Sequence, residues 1–268
     1  MIKFAKAHAY GNDFLYVDAA DVRGAALERL ARQMCDRHEG IGADGLIVYE
    51  RSGDTVSMRL LNADGSRAEV SGNGVRALGA LLLDQDARPA AELTVETEGG
   101  PKHLVRLGRE GVRQMFRASM GQPTGLRQAA LEADGEMLTV VVLNMGNPQC
   151  VVLGSLPDEG RFRRIGAALE RHASFPEGTN VEFAEVEAPD RVRIMIWERG
   201  VGPTTSSGTG SCAALVAAAA YGAAARAAEV VSPGGSQRVE WQADQVYLTG
   251  WAEVICAGEW QRQIPRTS

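Results

Sequence analysis

The chain has 268 residues, 45% hydrophobic and 23% charged, with a formal net charge of -6. This is the balance of an ordinary globular protein, long enough for one large domain or two smaller ones. The lack of a basic stripe or tail argues against nucleic acid as a partner.

The amino-terminal stretch "MIKFAKAHAYGNDF" lacks the uninterrupted apolar core of a secretory signal, so a cytoplasmic location is expected. Segments "IKFAKAHAY" and "DFLYVDA" alternate as strands do, and "ALERLARQMCDR" has helical apolar spacing. Strands follow at "GLIVYE" and "SMRLLNA". A second helix follows the glycines of "SGNGVRALGALLL", which begins at Ser71, and "ELTVETE" is a further strand. The polar "SMGQPTGLRQ", residues 119–128, reads as a link with Gly121, Pro123 and Gly125 as turn formers. Beyond it, "TVVVLNM", "CVVLGS", "NVEFAEV" and "RVRIMIWE" read as strands and "RFRRIGAALERH" as a helix. The alanine-rich run after Gly210 is too short and too weakly apolar to span a bilayer, so it reads as a tightly packed buried helix, and no membrane partner is expected.

The two halves repeat one another. "SGNGVRALGALLL" from Ser71 matches "SGTGSCAALVAAAA" from Ser207 at an offset of 136. "GADGLIVYE" from Gly42 matches "GTNVEFAEV" from Gly178, and "MRLLNADGS" from Met58 matches "IMIWERGVG" from Ile194, at the same offset. Gly11-Asn12-Asp13 matches Gly146-Asn147-Pro148 at 135. Four matches in register imply an internal duplication. The predicted fold is α+β, with two similar lobes at residues 1–118 and 119–268, each a mixed sheet around a helix, and a last strand free to return to the first lobe. Function is expected in the cleft between the lobes.

Each repeat brings a glycine-rich turn into a helix start, where free N–H groups and the helix dipole favour an anion. Asn12, Asn62, Asn147 and Asn180 occupy turn-like positions and can both donate and accept. With Glu198 and Arg199 they could line a site for a zwitterion, although singly such asparagines are more often conformational. Other chemistries fit poorly. The cysteines Cys35, Cys150, Cys212 and Cys256 are scattered, with no C-x-x-C pair and no histidine at ligand spacing, so no metal is expected. The only lysines are Lys3, Lys6 and Lys102, and two sit at the extreme amino terminus, which argues against a Schiff-base cofactor. Of the two G-x-G-x-x-A turns, the second is separated from its strand by "ERGVGPTTSS" after Trp197, which is not the strand–turn–helix context of a dinucleotide fingerprint. Neither serine lies in G-x-S-x-G, and His8, His38, His103 and His172 are too dispersed to nominate a base.

Taken together, "GNDF", "DRHEGIGADGLI", "NADGS", "SGNGVR", "MGNPQC", "GTNVEF", "ERGVG" and "SGTGSCAA" resemble, in order and over essentially the whole chain, the diaminopimelate epimerase family. The resemblance implies two lobes with the site between them, often as a homodimer, and cofactor-free stereoinversion at an amino-acid α-carbon by a pair of thiols. It assigns substrate binding to Asn12, Asn62, Gly72, Asn73, Asn147, Asn180, Glu198, Arg199, Gly208 and Thr209. It places Ser71 and Ser207 where the family carries its two catalytic cysteines. Gln149 stands where a histidine usually tunes a thiol, and Pro203 where a glutamate is usual; Glu198 is the other modulating position. Loss of the histidine together with both thiols fits natural divergence better than replacement of the thiols alone. The implied activity is interconversion of LL- and meso-diaminopimelate. The alternatives are a one-sided proton transfer on a small acid, or a silent acid-binding relative.

Overall fold

The computed structural model describes residues 1–53, 55–88, 90–243 and 245–261, which form two compact units. The first comprises Met1–Ala118 and the chain from Trp251 onward, and the second Ser119–Gly250.

In the first unit, β1 (Ile2–Ala9) and β2 (Asn12–Asp18) form a hairpin through Tyr10 and Gly11, both at positive φ. Helix α1 (Leu27–Cys35) follows, then the antiparallel pair β3 (Gly45–Ser52) and β4 (Thr55–Asn62). The two-residue β5 (Arg67–Ala68) leads into α2 (Gly72–Leu82). Strands β6 (Glu92–Glu96), β7 (Lys102–Glu110) and β8 (Arg113–Gly121) form a meander. Leu30, Ala31 and Met34 of α1 are buried in one core with Leu15, Val17, Leu46 and Leu61. Helix α2 packs instead against β1, β2 and β7.

The second unit repeats this order. It begins with β9 (Thr124–Ala133), β10 (Glu136–Asn144) and β11 (Pro148–Leu153), followed by α3 (Glu159–Glu170). Strands β12 (Asn180–Ala188), β13 (Arg191–Glu198) and β14 (Gly202–Thr204) lead to α4 (Gly208–Tyr221). The last strands are β15 (Ala227–Ser232), β16 (Gly235–Gln242) and β17 (Gln245–Trp260). Helix α4 touches β10, β11, β12, β13, β15 and β16, so sheet surrounds it on most sides. Its alanines make that possible, because small side chains let strands approach the helix closely. Helix α3 packs on another face, where Phe162 meets Phe183 and Trp197.

The duplication extends to the hydrogen-bond register. The parallel pair β2–β3 aligns Phe14 with Gly45, and β11–β12 aligns Gln149 with Asn180, partners 31 residues apart in both units. The fold is the expected α+β. One expectation needs refinement: the link expected at residues 119–128 falls where the two units divide, but it is mostly strand. β8 runs through Gly121 and β9 starts at Thr124, leaving only Gln122 and Pro123 outside strands. The segment is polar because the first residues of β9 are largely exposed, not because it lacks structure.

Candidate active site

The starts of α2 and α4 are built alike. Ser71 and Ser207 are both N-caps in extended backbone, at φ -128° and -139°. Each Oγ accepts the N–H three residues on, from Gly74 at 3.1 Å and from Gly210 at 3.2 Å. Those hydroxyls therefore sit at the positive end of a helix dipole, where a negative charge on a ligand or on Oγ is stabilised. Both third positions leave little room for a Cβ. A Cβ on Gly74 would lie 2.8 Å from Ile47 Cδ1, and one on Gly210 would lie 2.6 Å from Glu182 Oε1.

In the first unit the structure brings Asn12 and Asn73 together, with Asn73 Nδ2 donating to Asn12 Oδ1 at 3.2 Å. Fully buried Arg76 donates to Asn73 Oδ1 at 2.5 Å. Asn12 Nδ2 donates to Asp44 Oδ2 at 2.8 Å. Asp44 is held by Arg37, which also pairs with Asp13, and Lys6 lies 2.9 Å from Asp13. Burial raises the Asp13 pKa, but its bonds to Arg37 and Lys6 outweigh that and hold it below the ordinary value. Tyr16 fixes the start of α2 by donating to the Gly74 carbonyl at 2.9 Å. Asn62 pairs with Gly45 across β3–β4, next to Asp44, and its amide donates to Ser66 Oγ at 3.0 Å in the turn after β4.

In the second unit Asn147 Nδ2 donates to Thr209 Oγ1 at 3.3 Å, beside Gly208 and the Ser207 cap. One end of the Gln149 amide lies 2.7 Å from Asn147 Oδ1 and 3.2 Å from Thr209 Oγ1, and the other lies 3.0 and 3.2 Å from the Glu182 carboxyl oxygens. Glu182 is wholly buried, and burial, with the nearby Glu198 charge, pushes its pKa well above the ordinary carboxylate range. Asn180 and Arg199 form a linked pair, since Asn180 Oδ1 accepts the Arg199 N–H at 3.0 Å while its Nδ2 donates to Pro148 O at 3.2 Å. Glu170 fixes that turn from below, accepting from Trp197 Nε1 at 2.7 Å and from the Gly200 N–H at 2.9 Å.

Sequence reasoning missed Asp13, Asp44, Arg76, Glu170 and Glu182. Asp44 was accessible, because the 136-residue offset that pairs Gly42 with Gly178 also pairs Asp44 with Asn180. Cys35 and Cys150 are poor substitutes for a catalytic pair. Burial, with Asp13 and Asp44 nearby, pushes Cys35 up to about 12, and burial beside Glu182 raises Cys150 as well. Lys102 is buried, with its ammonium donating to the Gly99 carbonyl at 3.0 Å.

Two repeated α+β units of this kind make up a fold shared with solved racemases and epimerases. A probable proline racemase from Agrobacterium radiobacter superimposes with a TM-score of 0.78 at 16% identity, covering 98% of this chain and 94% of its own. A hydroxyproline epimerase from Agrobacterium vitis gives 0.72 at 18% identity, covering 96% and 90%. The chain belongs to the diaminopimelate epimerase family, whose sequence model matches residues 4–124 and 141–255. It is 39% identical to the diaminopimelate epimerase of Desulforudis audaxviator, over 97% of this chain and 100% of that one. It is 37% identical to that of Pelotomaculum thermopropionicum, over 96% and 98%.

Proposed function

We propose that the chain is a cofactor-independent epimerase-type isomerase whose ligand is diaminopimelate, in the precursor pathway of lysine. Ser71 and Ser207 are the proton-bearing pair on the α-carbon. Asn12, Asn62, Gly72, Asn73, Asn147, Asn180, Glu198, Arg199, Gly208 and Thr209 bind the substrate's charged and amide-bonding groups, and Gln149 and Glu198 modulate the pair. The observation that carries this reading is the matched capping geometry of Ser71 and Ser207, each aligned with the free N–H groups of its helix. Those N–H groups suit the substrate carboxylate, and each hydroxyl suits proton transfer beside it. Family membership supports the substrate.

Serine makes the base weak. An alcohol ionises about five units above a thiol, roughly 7 kcal/mol at ~1.36 kcal/mol per unit. Slow turnover is therefore expected, and the loss of both thiols favours a second reading in which the pocket holds the acid without inverting it. The test is incubation of LL-diaminopimelate with the protein in deuterated water, following α-deuteration and meso product, with calorimetry alongside. Binding with slow deuteration supports the epimerase, and binding without deuteration supports the second reading. Failure to bind would refute both. A cytoplasmic location and a homodimer belong to the same proposal and rest on the resemblance; sedimentation tests the dimer.

A further inference from the structure

The Glu182 carboxyl has no place in the proton-transfer scheme above, yet it is the most confined acid among the described residues of the second unit. It is fully buried on β12, between neighbouring strands β11 and β13 and beneath the start of α4. The charged and titratable groups facing it are Glu198 from β13 and Cys150 from β11. From α4 come only Ser207 at the cap, Thr209, Ser211, Cys212, the terminal Tyr221 and small or apolar groups, because that helix carries no charged side chain. Among the described residues no cation is seen to compensate a carboxylate there, and an acid so placed stays neutral.

We propose that Glu182 is a positioning residue acting through Gln149: its carboxyl orients the Gln149 amide, and the amide decides whether Thr209 offers a ligand a proton or a lone pair. The distances permit two self-consistent patterns. With Glu182 neutral, its O–H donates to Gln149 Oε1. Gln149 Nε2 then donates to Asn147 Oδ1 at 2.7 Å, and Asn147 Nδ2 donates to Thr209 Oγ1 at 3.3 Å. Thr209 has accepted, so its own proton is free for an anion at the helix start. With Glu182 ionised, the Gln149 and Asn147 amides turn over together: Gln149 Nε2 donates to the carboxylate across 3.0 and 3.2 Å, and Asn147 Nδ2 donates to Gln149 Oε1 across 2.7 Å. Gln149 Oε1 then accepts the Thr209 proton across 3.2 Å, and a ligand carboxylate meets an oxygen lone pair instead. The direction of one buried proton thus sets the polarity of a hydroxyl two side chains away.

The ligand arm of the test rests on the substrate reading above, whereas the amide arm does not. In the ligand arm, meso-diaminopimelate is titrated by calorimetry against the parent, Glu182→Gln and Glu182→Leu across neutral to alkaline pH. Glu182→Leu, which leaves the Gln149 amide without its partner, weakens binding by about tenfold throughout, the worth of one lost hydrogen bond. Glu182→Gln restores a donor to Gln149 and recovers most of that loss, without the alkaline weakening of the parent. In the amide arm, the side-chain amide signal of Gln149 is followed by nuclear magnetic resonance without ligand. Glu182→Leu displaces the signal, and Glu182→Gln returns it towards the parent position and removes any dependence on alkaline pH. Equal behaviour of the Leu and Gln variants in the amide arm would overturn the proposal, as would an alkaline limb retained in Glu182→Gln. If the amide responds but diaminopimelate binds no variant, the substrate reading fails and the positioning role stands.

Discussion

Restoring thiols at the two helix caps, as Ser71→Cys with Ser207→Cys, probes the chemistry most directly. Each Oγ occupies the cap position and accepts the N–H three residues on, at 3.1 Å for Ser71 and 3.2 Å for Ser207. A sulfur there meets the same N–H groups and the same dipole, which favour its anion by about 0.3–2 kcal/mol. The thiol therefore titrates at or below its free value near ~8.5, whereas the alcohol it replaces sits about five units higher. At ~1.36 kcal/mol per unit, the double variant gains on the order of 7 kcal/mol in forming the base, or about five decades in rate. Stability moves the other way, because sulfur accepts the capping bond poorly, at a cost of about 0.5–2 kcal/mol per helix. The assay is α-proton exchange on LL-diaminopimelate in deuterated water, with urea unfolding of the same samples. Since the two groups act as a unit, either single variant falls well short of the double. A folded double variant that binds diaminopimelate but exchanges no faster than the parent would refute the reasoning.

Three further outcomes are expected. In the folded state Glu182 titrates above its ordinary value of 4.5, so folded protein binds more protons than unfolded above that value. Parent stability is accordingly lost as pH rises from the ordinary carboxylate range toward the folded-state titration; the advantage of Glu182→Gln grows over that window, as urea unfolding at a series of pH values will register. Gly210→Ala would put a methyl 2.6 Å from Glu182 Oε1, so it destabilises by about 1–3 kcal/mol through overpacking in the same assay. Glu170→Gln keeps one acceptor for the Trp197 and Gly200 donors and leaves the other unpaired, costing about 1–3 kcal/mol. It also loosens the turn that carries Arg199, so calorimetry should register weaker diaminopimelate binding; unchanged affinity would separate that turn from the ligand.

The strands with clear alternation, such as Arg191–Glu198, and the repeated glycine turns could be read in the sequence because their signals are local. The duplication carried further than any single motif, since it anticipated the matching caps at Ser71 and Ser207. Residues 119–128 read only as a link because polarity marks an exposed strand as readily as a link. Glu182 was concealed for a related reason. In "NVEFAEV" the alternation assigns Asn180 and Glu182 to a water-facing side, but α4 covers that face and α3 the other, so the first five residues of β12 are all buried. The Arg37–Asp13 and Asn12–Asp44 contacts could not be read from their neighbours either, because they join segments 24 and 32 residues apart.

The last strand has a consequence for biosynthesis. Residues 253–260 of β17 pair with residues 2–8 of β1, so an early strand takes one of its neighbours from chain translated some 245 residues later. The second unit, by contrast, is a continuous stretch of chain and can complete its sheet while still near the ribosome. Until β17 emerges, β1 presents an unpaired edge of backbone donors and acceptors, the kind of edge that recruits foreign strands. Nascent chains halted before residue 253 should therefore be the aggregation-prone species, with order spreading from the later-made half of the molecule back to the earlier.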